Sequence, residues 1–221
     1  MTTSAAPAPG TIGIIGAGKS GTALARLALA AGYRVQIASS GTVADTALMM
    51  RFVAPGVAAT DIEHVADGTD FVVIAVPLRR FRALDPELFA GRTVVDVMNY
   101  WPPIDGTLPE FENTERPSSA VIQDAIPAAT VIKTFNHLGY HQMEDLAEPL
   151  APTGRIALAV AGNDEHAVAT VMRFVEAVGF DPVNAGTLED SAPLQPETAV
   201  FGAALDRDTL TTLLAQHPQA A

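Results

Sequence analysis

Short apolar segments alternate along the chain with longer stretches whose apolar residues recur at helical spacing. The apolar segments are rich in Val, Ile and Ala, and such unbroken runs are typical of parallel strands that are covered on both faces. We predict strands at 11–15, 34–38, 57–59, 70–76, 92–97, 129–135, 155–161 and 181–184. We predict helices between and after them at 22–30, 44–52, 118–125, 165–178 and 207–216. This order indicates an α/β fold with a mostly parallel sheet and helices on both of its faces.

A glycine-rich turn joins the first predicted strand to the first predicted helix, and it reads Gly16-Ala17-Gly18-Lys19-Ser20-Gly21. In the spacing G-x-G-x-x-G, Gly16 allows a tight turn, Gly18 lets a pyrophosphate approach the backbone, and Gly21 lets the helix pack against the strand. The amide groups at the start of the helix then face the phosphates. Between a strand and a helix, the motif predicts a dinucleotide site in a Rossmann-like, doubly wound fold. The alternative is a tight turn in some other α/β protein.

The end of the second strand indicates which nucleotide binds. In NAD-binding proteins an Asp or Glu about 20 residues after the first glycine holds the ribose hydroxyls, but this sequence has Ser39 and Ser40 there. Serine hydroxyls suit a 2′-phosphate, so the sequence favours NADP over NAD. Because no Arg follows Ser39, we expect Lys19 or Arg34 to contribute the positive charge.

The strand predicted at 70–76 leads to a second part of the site. Ligands of open α/β sheets bind beyond the carboxyl ends of the strands, so we expect Val76, Pro77 and Leu78 to border the nucleotide. Two interpretations stay open for the basic residues that follow: a solvated helix face, or an anion clamp in an otherwise acidic protein. These residues are Arg79, Arg80 and Arg82.

Two further strand ends carry aromatic and polar residues. After the fifth predicted strand, Tyr100 and Trp101 lie in a loop with two prolines. They either pack in the core or form a wall on which a flat second ligand stacks. After the sixth predicted strand come Asn136 and His137, which we expect to position a ring or a carboxamide.

Composition narrows the range of partners. The formal net charge of −12 argues against nucleic acid, whose phosphates would be repelled. The chain has no cysteine, which excludes disulfides, thiolate metal sites and cysteine nucleophiles. His137 and His141 have the spacing of two ligands on one helical turn, but they lack a third ligand, so we predict no metal site. No apolar run reaches the roughly 18 residues of a membrane span, and we expect a cytoplasmic protein without membrane partners.

The chain is long enough to form one substantial core. We predict a flexible N-terminal tail at residues 1–10 and a single NADP-binding domain at 11–221 that ends in a short C-terminal extension. With 221 residues the chain buries a sizeable core, and no linker divides it. The first ten residues, MTTSAAPAPG, lack the basic and apolar parts of a signal peptide.

Four stretches together resemble a known enzyme family: IGAGKSGTALA, IASS, FVVIAVPLRR and VIKTFNHLGY. The sequence is similar over roughly residues 11 to 185 to the NADP oxidoreductases that use the deazaflavin coenzyme F420, and to the related reductase domain of the STEAP metalloreductases. It departs from that pattern where no Arg follows Ser39, and in the loop MNYWPP.

The resemblance implies where two cofactors bind. The NADP phosphates would lie at Gly16 to Gly21, and the 2′-phosphate at Ser39 and Ser40. The nicotinamide would contact Ala75, Val76 and Pro77. A deazaflavin or flavin would bind among Asn99, Asn136, His137 and Leu138. A homodimer is also implied.

We therefore predict an NADP-dependent oxidoreductase that transfers a hydride between NADPH and a deazaflavin. Asn136 and His137 are the candidate catalytic residues, and His137 either exchanges a proton with the deazaflavin or positions it as a neutral ring. The arginines Arg79, Arg80 and Arg82 would meet the anionic tail of the coenzyme. The alternatives are an NADPH-dependent flavin or ferric reductase, and an NADP-binding sensor module without chemistry.

Overall fold

The structure is a computed structural model, and it describes residues 9–112, 116–151 and 153–216. Residues 1–8 of the predicted tail lie outside the described residues, so the tail stays a prediction. Among the described residues, no helix is both long enough and apolar enough to cross a membrane.

The described strands form one eight-stranded sheet in the order β3-β2-β1-β4-β5-β6-β7-β8. All neighbouring strands run parallel except β6 and β7, which are antiparallel. The chain builds outward from β1 on one side and then returns to place β4 on its other side, so the order reverses between β1 and β4. The strands are β1 (Thr11–Ile15), β2 (Arg34–Ala38), β3 (Ala58–Ala59), β4 (Phe71–Ile74), β5 (Thr93–Asp96), β6 (Thr130–Lys133), β7 (Ala157–Gly162) and β8 (Asp181–Asn184).

Helices connect the strands and cover both faces of the sheet. Three of the described α-helices begin at side-chain caps: the Thr42 hydroxyl accepts a hydrogen bond from the amide of Asp45, and the Asp164 and Asp206 carboxylates accept one each, from the amides of Ala167 and Thr209. The helices are α1 (Lys19–Ala30), α2 (Val43–Val53), α3 (Leu78–Phe81), α4 (Pro102–Asp105), α5 (Pro109–Glu112), α6 (Ser118–Ala125), α7 (Tyr140–Asp145), α8 (Glu165–Ala177) and α9 (Arg207–Ala215). Two 3₁₀ turns lie at Pro86–Phe89 and Glu189–Leu194.

Strand β4 illustrates why the apolar runs form this sheet. All four of its residues are buried, and successive side chains point to opposite faces. Phe71 and Val73 pack in one core with residues of α1 and α8, whereas Val72 and Ile74 pack in another with residues of α3 and α6. The predicted fold class, a Rossmann-like doubly wound and mostly parallel sheet with helices on both faces, is therefore confirmed.

Most predicted elements are present, and four of them have the predicted bounds: strands β1, β2 and β8 and helix α6. The ends of the others differ by a few residues. The strand predicted at 129–135 ends at Lys133, and Phe135 has a left-handed backbone with φ of 61°. Extended backbone cannot continue through such a residue. The side chains after β6 therefore do not follow the alternation that the sequence pattern assumes.

Candidate functional site

The glycine turn lies between the carboxyl ends of β1 and β4. Gly16 has φ of +114°, and a Cβ atom there would clash with the carbonyl oxygen of Ala75. A Cβ on Gly21 would clash with the carbonyl oxygen of Gly16. These two glycines are therefore required by the fold itself, because the turn packs tightly against β4 and the helix packs tightly against the turn.

Gly18 differs, since it faces open space. It is the residue before α1, and a Cβ added to it would have no neighbour within 4 Å. The first backbone N–H groups of a helix have no carbonyl partner within that helix, and here they adjoin this space. The turn therefore fits a pyrophosphate, which needs close backbone approach and free amide donors.

Two cavities open on either side of the turn, at the carboxyl ends of the strands. The β2-side cavity has a volume of about 460 Å³. It is lined by the turn together with Ala38, Ser39, Ser40, Met49, Ile62, Arg80, Ala83 and Leu84. The β5-side cavity has the same volume and is lined by Lys19, Ser20, Val97, Met98, Asn99, Trp101, Ile104, Asp105 and Tyr140. Both cavities include Gly18, Ala75, Val76 and Pro77.

The structure thus brings most of the predicted nucleotide residues to one crevice. Gly16, Ala17 and the serines after β2 line its β2 side, and Lys19, Ser20 and Asn99 line its β5 side. Leu78 does not reach the crevice, because its side chain is buried in the core beneath α3.

The two serines after β2 differ in their hydrogen bonds. The Ser39 Oγ lies 2.7 Å from the Thr46 Oγ1 and accepts a hydrogen bond from the amide of Gly41. Thr46 donates its own hydroxyl hydrogen to the carbonyl of Thr42, so the Ser39 hydroxyl is the donor to Thr46. The Ser40 side chain is exposed and bonds to no other described residue. Ser40 is therefore the serine whose hydroxyl is free to bind a ligand.

The basic residues expected to supply charge at this end lie elsewhere. Arg34 donates to the Thr11 hydroxyl at the opposite end of β2. The Lys19 Nζ lies 5.0 Å above the ring of Tyr140 in the β5-side cavity, and its hydrogen bond with Tyr140 raises the pKa of Lys19. Neither residue is positioned beside Ser39, contrary to the expectation from the sequence.

The three arginines after β4 do not form one clamp. Arg82 forms an ion pair with Glu110 at 2.5 Å. The Arg79 side chain is exposed, lines neither cavity and bonds to no other described residue, whereas its backbone amide donates to Asp105. Arg80 alone lines the β2-side cavity. The predicted joint clamp is therefore corrected: a helix of four residues directs neighbouring side chains to different sides.

Asn99 and Asn136 bond to each other. The Asn99 side chain donates to the Asn136 carbonyl at 2.8 Å, and the Asn136 side chain donates to the Asn99 side chain at 2.9 Å and to the Leu194 carbonyl at 2.6 Å. Asn136 is buried, whereas Asn99 lines the β5-side cavity. Asn136 therefore orients Asn99 and does not itself face the cavity.

His137 is also inside the protein. Its side chain is 1% exposed, its Nε2 accepts a hydrogen bond from the amide of Ala159 at 3.3 Å, and its Nδ1 has no partner among the described residues. Burial and the nearby charge of Lys133 lower the pKa of His137 to about 3. Leu138 is buried in the core. The expectation that His137 and Leu138 face a second cofactor is corrected, because the chain turns inward at Phe135.

A buried ion pair that the sequence analysis did not identify supports the β5-side cavity. The Lys133 Nζ donates to Asp96 at 3.0 Å and to the carbonyl of Met98 at 2.5 Å, and Asp96 accepts from the amide of Met98 and the hydroxyl of Ser119. Burial lowers the pKa of Lys133, and Asp96 opposes that shift. The pair fixes Met98, the residue before Asn99. Its sequence signal is a charge at the end of each of two apolar runs, which the register pairs directly.

The aromatic residues after β5 take different roles. The Tyr100 hydroxyl is hydrogen-bonded to Glu112 at 2.9 Å, and its ring packs 5.8 Å from that of Phe111. Trp101 is 42% exposed and lines both the β5-side cavity and a further groove of about 640 Å³ beside it. Tyr100 also lines this groove but is held by these contacts, whereas the Trp101 ring is the more exposed aromatic surface.

Part of the chain matches the model of one enzyme family. Residues 11–100 match the family model described as NADP oxidoreductase, coenzyme F420-dependent. The match confirms the resemblance that the sequence predicts, and it confirms the enzyme class, because the matching family consists of NADP-dependent oxidoreductases. No curated protein sequence matches the chain.

Several solved structures share the fold. A hypothetical protein from Sinorhizobium meliloti is 28% identical with a TM-score of 0.74, over 90% of this chain and 97% of that one. A candidate F420-dependent NADP reductase from Arthrobacter sp. FB24 is 25% identical with a TM-score of 0.68, over 90% of this chain and 100% of that one. A reductive aminase from Aspergillus terreus, in complex with NADPH and ethyl levulinate, is 18% identical with a TM-score of 0.56. The match covers 84% of this chain and 57% of the aminase, and it indicates the fold alone.

Proposed function

We propose that this chain, whose residues 11–100 match the F420-dependent NADP oxidoreductases, transfers a hydride between NADPH and a deazaflavin of the F420 type. The observation that carries the proposal is the pair of cavities that meet at Gly18. A dinucleotide has two halves joined by a pyrophosphate, and this crevice offers two chambers joined by a turn suited to a pyrophosphate.

The nucleotide would lie with its adenosine in the β2-side cavity and its nicotinamide in the β5-side cavity. The apolar side chains of Val76 and Pro77 would form the wall against the nicotinamide, and the side-chain amide of Asn99 is the polar group placed to orient its carboxamide. Asn99 is held by Asn136, so it is already oriented before a ligand arrives.

NADPH supplies the hydride from its nicotinamide C4, and the deazaflavin accepts it at C5 and takes up one proton from solvent. The chain then needs to hold two rings face to face and to exclude water, with no acid or base of its own. His137 cannot serve as the proton donor at neutral pH, because its lowered pKa of about 3 keeps the ring uncharged. It acts in this proposal as a neutral part of the core.

We place the deazaflavin against Trp101, in the space where the β5-side cavity meets the adjoining groove. This replaces the location among Asn136, His137 and Leu138, which are buried. The exposed indole offers a flat surface for a tricyclic ring, and stacking of aromatic rings contributes about 0.5–1.5 kcal/mol beyond burial. The homodimer that the resemblance implies and the cytoplasmic location expected from the sequence stay predictions.

The test is a parallel assay of the purified protein with NADPH and one of three acceptors: F420, FMN or a ferric chelate. Loss of nicotinamide absorbance should be fastest with F420. Trp101→Ala should raise the KM for F420 roughly 2- to 10-fold, and Trp101→Phe, which keeps a ring, should restore most of the loss. Rapid reduction of FMN with no reduction of F420 would overturn the proposal. If none of the three acceptors is reduced, the result would favour an NADP-binding module without chemistry.

A further inference from the structure

We propose that Arg80 supplies the positive charge that binds the 2′-phosphate of NADP, in place of a basic residue following β2. The inference rests on the proposed function for the identity of the nucleotide as NADP. It assigns a residue of α3, forty positions beyond Ser40 in the chain, to the recognition of the adenosine end.

The first step is that the loop after β2 has no cation of its own. The sequence there is Ser39-Ser40-Gly41, and the Ser39 hydroxyl already donates to Thr46. Only Ser40 offers a free hydroxyl. A single hydroxyl supplies one hydrogen bond and no positive charge, which does not offset the desolvation of a phosphate dianion.

The second step is that Arg80 lines the same cavity as both serines. Its side chain is exposed, and no hydrogen bond or ion pair joins its guanidinium to another described residue. Arg82, two residues further on, shows the contrast, since Glu110 holds it. The Arg80 guanidinium is thus available to a ligand without first breaking a bond within the described part of the protein.

The third step is that none of the described residues that line this cavity carries a carboxylate. Asp45 is the acid nearest to Ser40 in the following sequence, and it is bound by the Thr42 hydroxyl at 2.6 Å in the first turn of α2. Asp45 is not among the described residues that line the cavity, so it does not take the position of the acid that holds the ribose of NAD. A 2′-phosphate entering the cavity meets a cation and a hydroxyl, and no anion among the lining residues.

The chemistry of the guanidinium suits this task. Its planar fork binds two phosphate oxygens at once, and it stays charged throughout the physiological pH range. The charge matters more here than in a neutral protein, because the chain carries a formal net charge of −12 and so repels anions from a distance. NADP carries a phosphate that NAD lacks, so the Arg80 contact would act on the first nucleotide and not on the second.

The experiment compares Arg80→Gln with Arg79→Gln. The two changes remove the same charge from neighbouring positions of α3, but only Arg80 lines the cavity. Dissociation constants for NADPH, NADH and adenosine 2′,5′-bisphosphate are measured by titration calorimetry without an acceptor. Arg80→Gln should weaken NADPH and the bisphosphate roughly 10- to 100-fold and leave NADH unchanged, the range expected for a hydrogen bond to a charged group. Arg79→Gln should change none of them more than about twofold.

Three results would overturn the inference. Equal weakening of NADPH and NADH by Arg80→Gln would mean that Arg80 contacts the adenine. An equal loss of NADPH affinity in Arg79→Gln would mean that any positive charge on α3 has the same effect. Equal affinity of the unchanged protein for NADPH and NADH would mean that no 2′-phosphate is recognised. The melting temperature of each variant without nucleotide serves as the folding control. Because no acceptor is present, failure here is distinct from failure to reduce F420.

Discussion

The buried state of His137 can be tested through the pH dependence of stability. Its pKa is about 3 in the folded protein against an ordinary value of 6.5, because burial and the charge of Lys133 disfavour the imidazolium. Below pH 6.5 the unfolded chain takes up a proton at this position while the folded protein does not. The contribution of His137 to stability is therefore present above pH 6.5 and is lost as the pH falls from 6.5 towards 3.

The size of the effect follows from the shift. Within this window the free energy of unfolding falls by about 1.4 kcal/mol per pH unit for one proton. Through His137 it should therefore fall by about 2 kcal/mol between pH 6.5 and pH 5. This window lies above the usual range for carboxyl groups, most of which stay ionised there. Over the same interval, the free energy of unfolding of His137→Gln should fall by about 2 kcal/mol less than that of the unchanged protein, because glutamine does not titrate.

The measurement is urea denaturation of both proteins at pH 6.5 and pH 5, with His166→Gln as the control. His166 lies exposed on α8, so its replacement controls for the removal of one histidine from the surface. Glutamine keeps an oxygen able to accept the hydrogen bond from Ala159. Parallel loss of stability in His137→Gln and the unchanged protein would refute the reasoning. It would mean that His137 is accessible to protons in the folded state, and a role in proton transfer would again deserve testing.

Two further changes address the turn and the pair beneath the β5-side cavity. Gly18→Ala should leave the free protein folded, since a Cβ there has open space, but it should weaken NADPH binding more than about tenfold, or 1.4 kcal/mol. Normal NADPH affinity in a folded variant would argue against a pyrophosphate at this turn. Lys133→Met should lower the free energy of unfolding by about 3–5 kcal/mol, because it leaves Asp96 buried and uncompensated, and the double change with Asp96→Asn should be less severe in the same urea titration; a double variant as unstable as the single one would count against a coupled pair.

The sequence predicts the parts of the site that depend on neighbours in the chain. The glycine turn is local, since the clash that excludes a side chain at Gly21 comes from Gly16 five residues earlier. The apolar runs of the strands are local as well, because burial on both faces requires every residue to be apolar. The sequence therefore predicts which residues reach the crevice wherever no left-handed residue interrupts the backbone at the end of a strand.

Prediction fails where one backbone angle or one distant contact decides. The left-handed backbone of Phe135 turns Asn136 and His137 into the protein, and a phenylalanine carries no signal for that conformation. Arg80 and Ser40 line one cavity because β2 and β4 flank β1 in the sheet, and no spacing in the sequence encodes that order. The pair of Asp96 and Lys133 depends on the register of β5 and β6. Charges in otherwise apolar strands were its only signal.

The two halves of the crevice are supported in different ways, and this has a consequence for how the site can change. On the β2 side, the side chains of Ser40 and Arg80 are exposed and bond to no other described residue. Changes there should alter the choice of nucleotide at little cost in stability. On the β5 side, Asn99 follows a loop fixed by a buried ion pair, so changes beneath it alter shape and stability together. Nucleotide preference is thus the more easily altered property, whereas the chamber for the reacting ring is tied to the integrity of the fold.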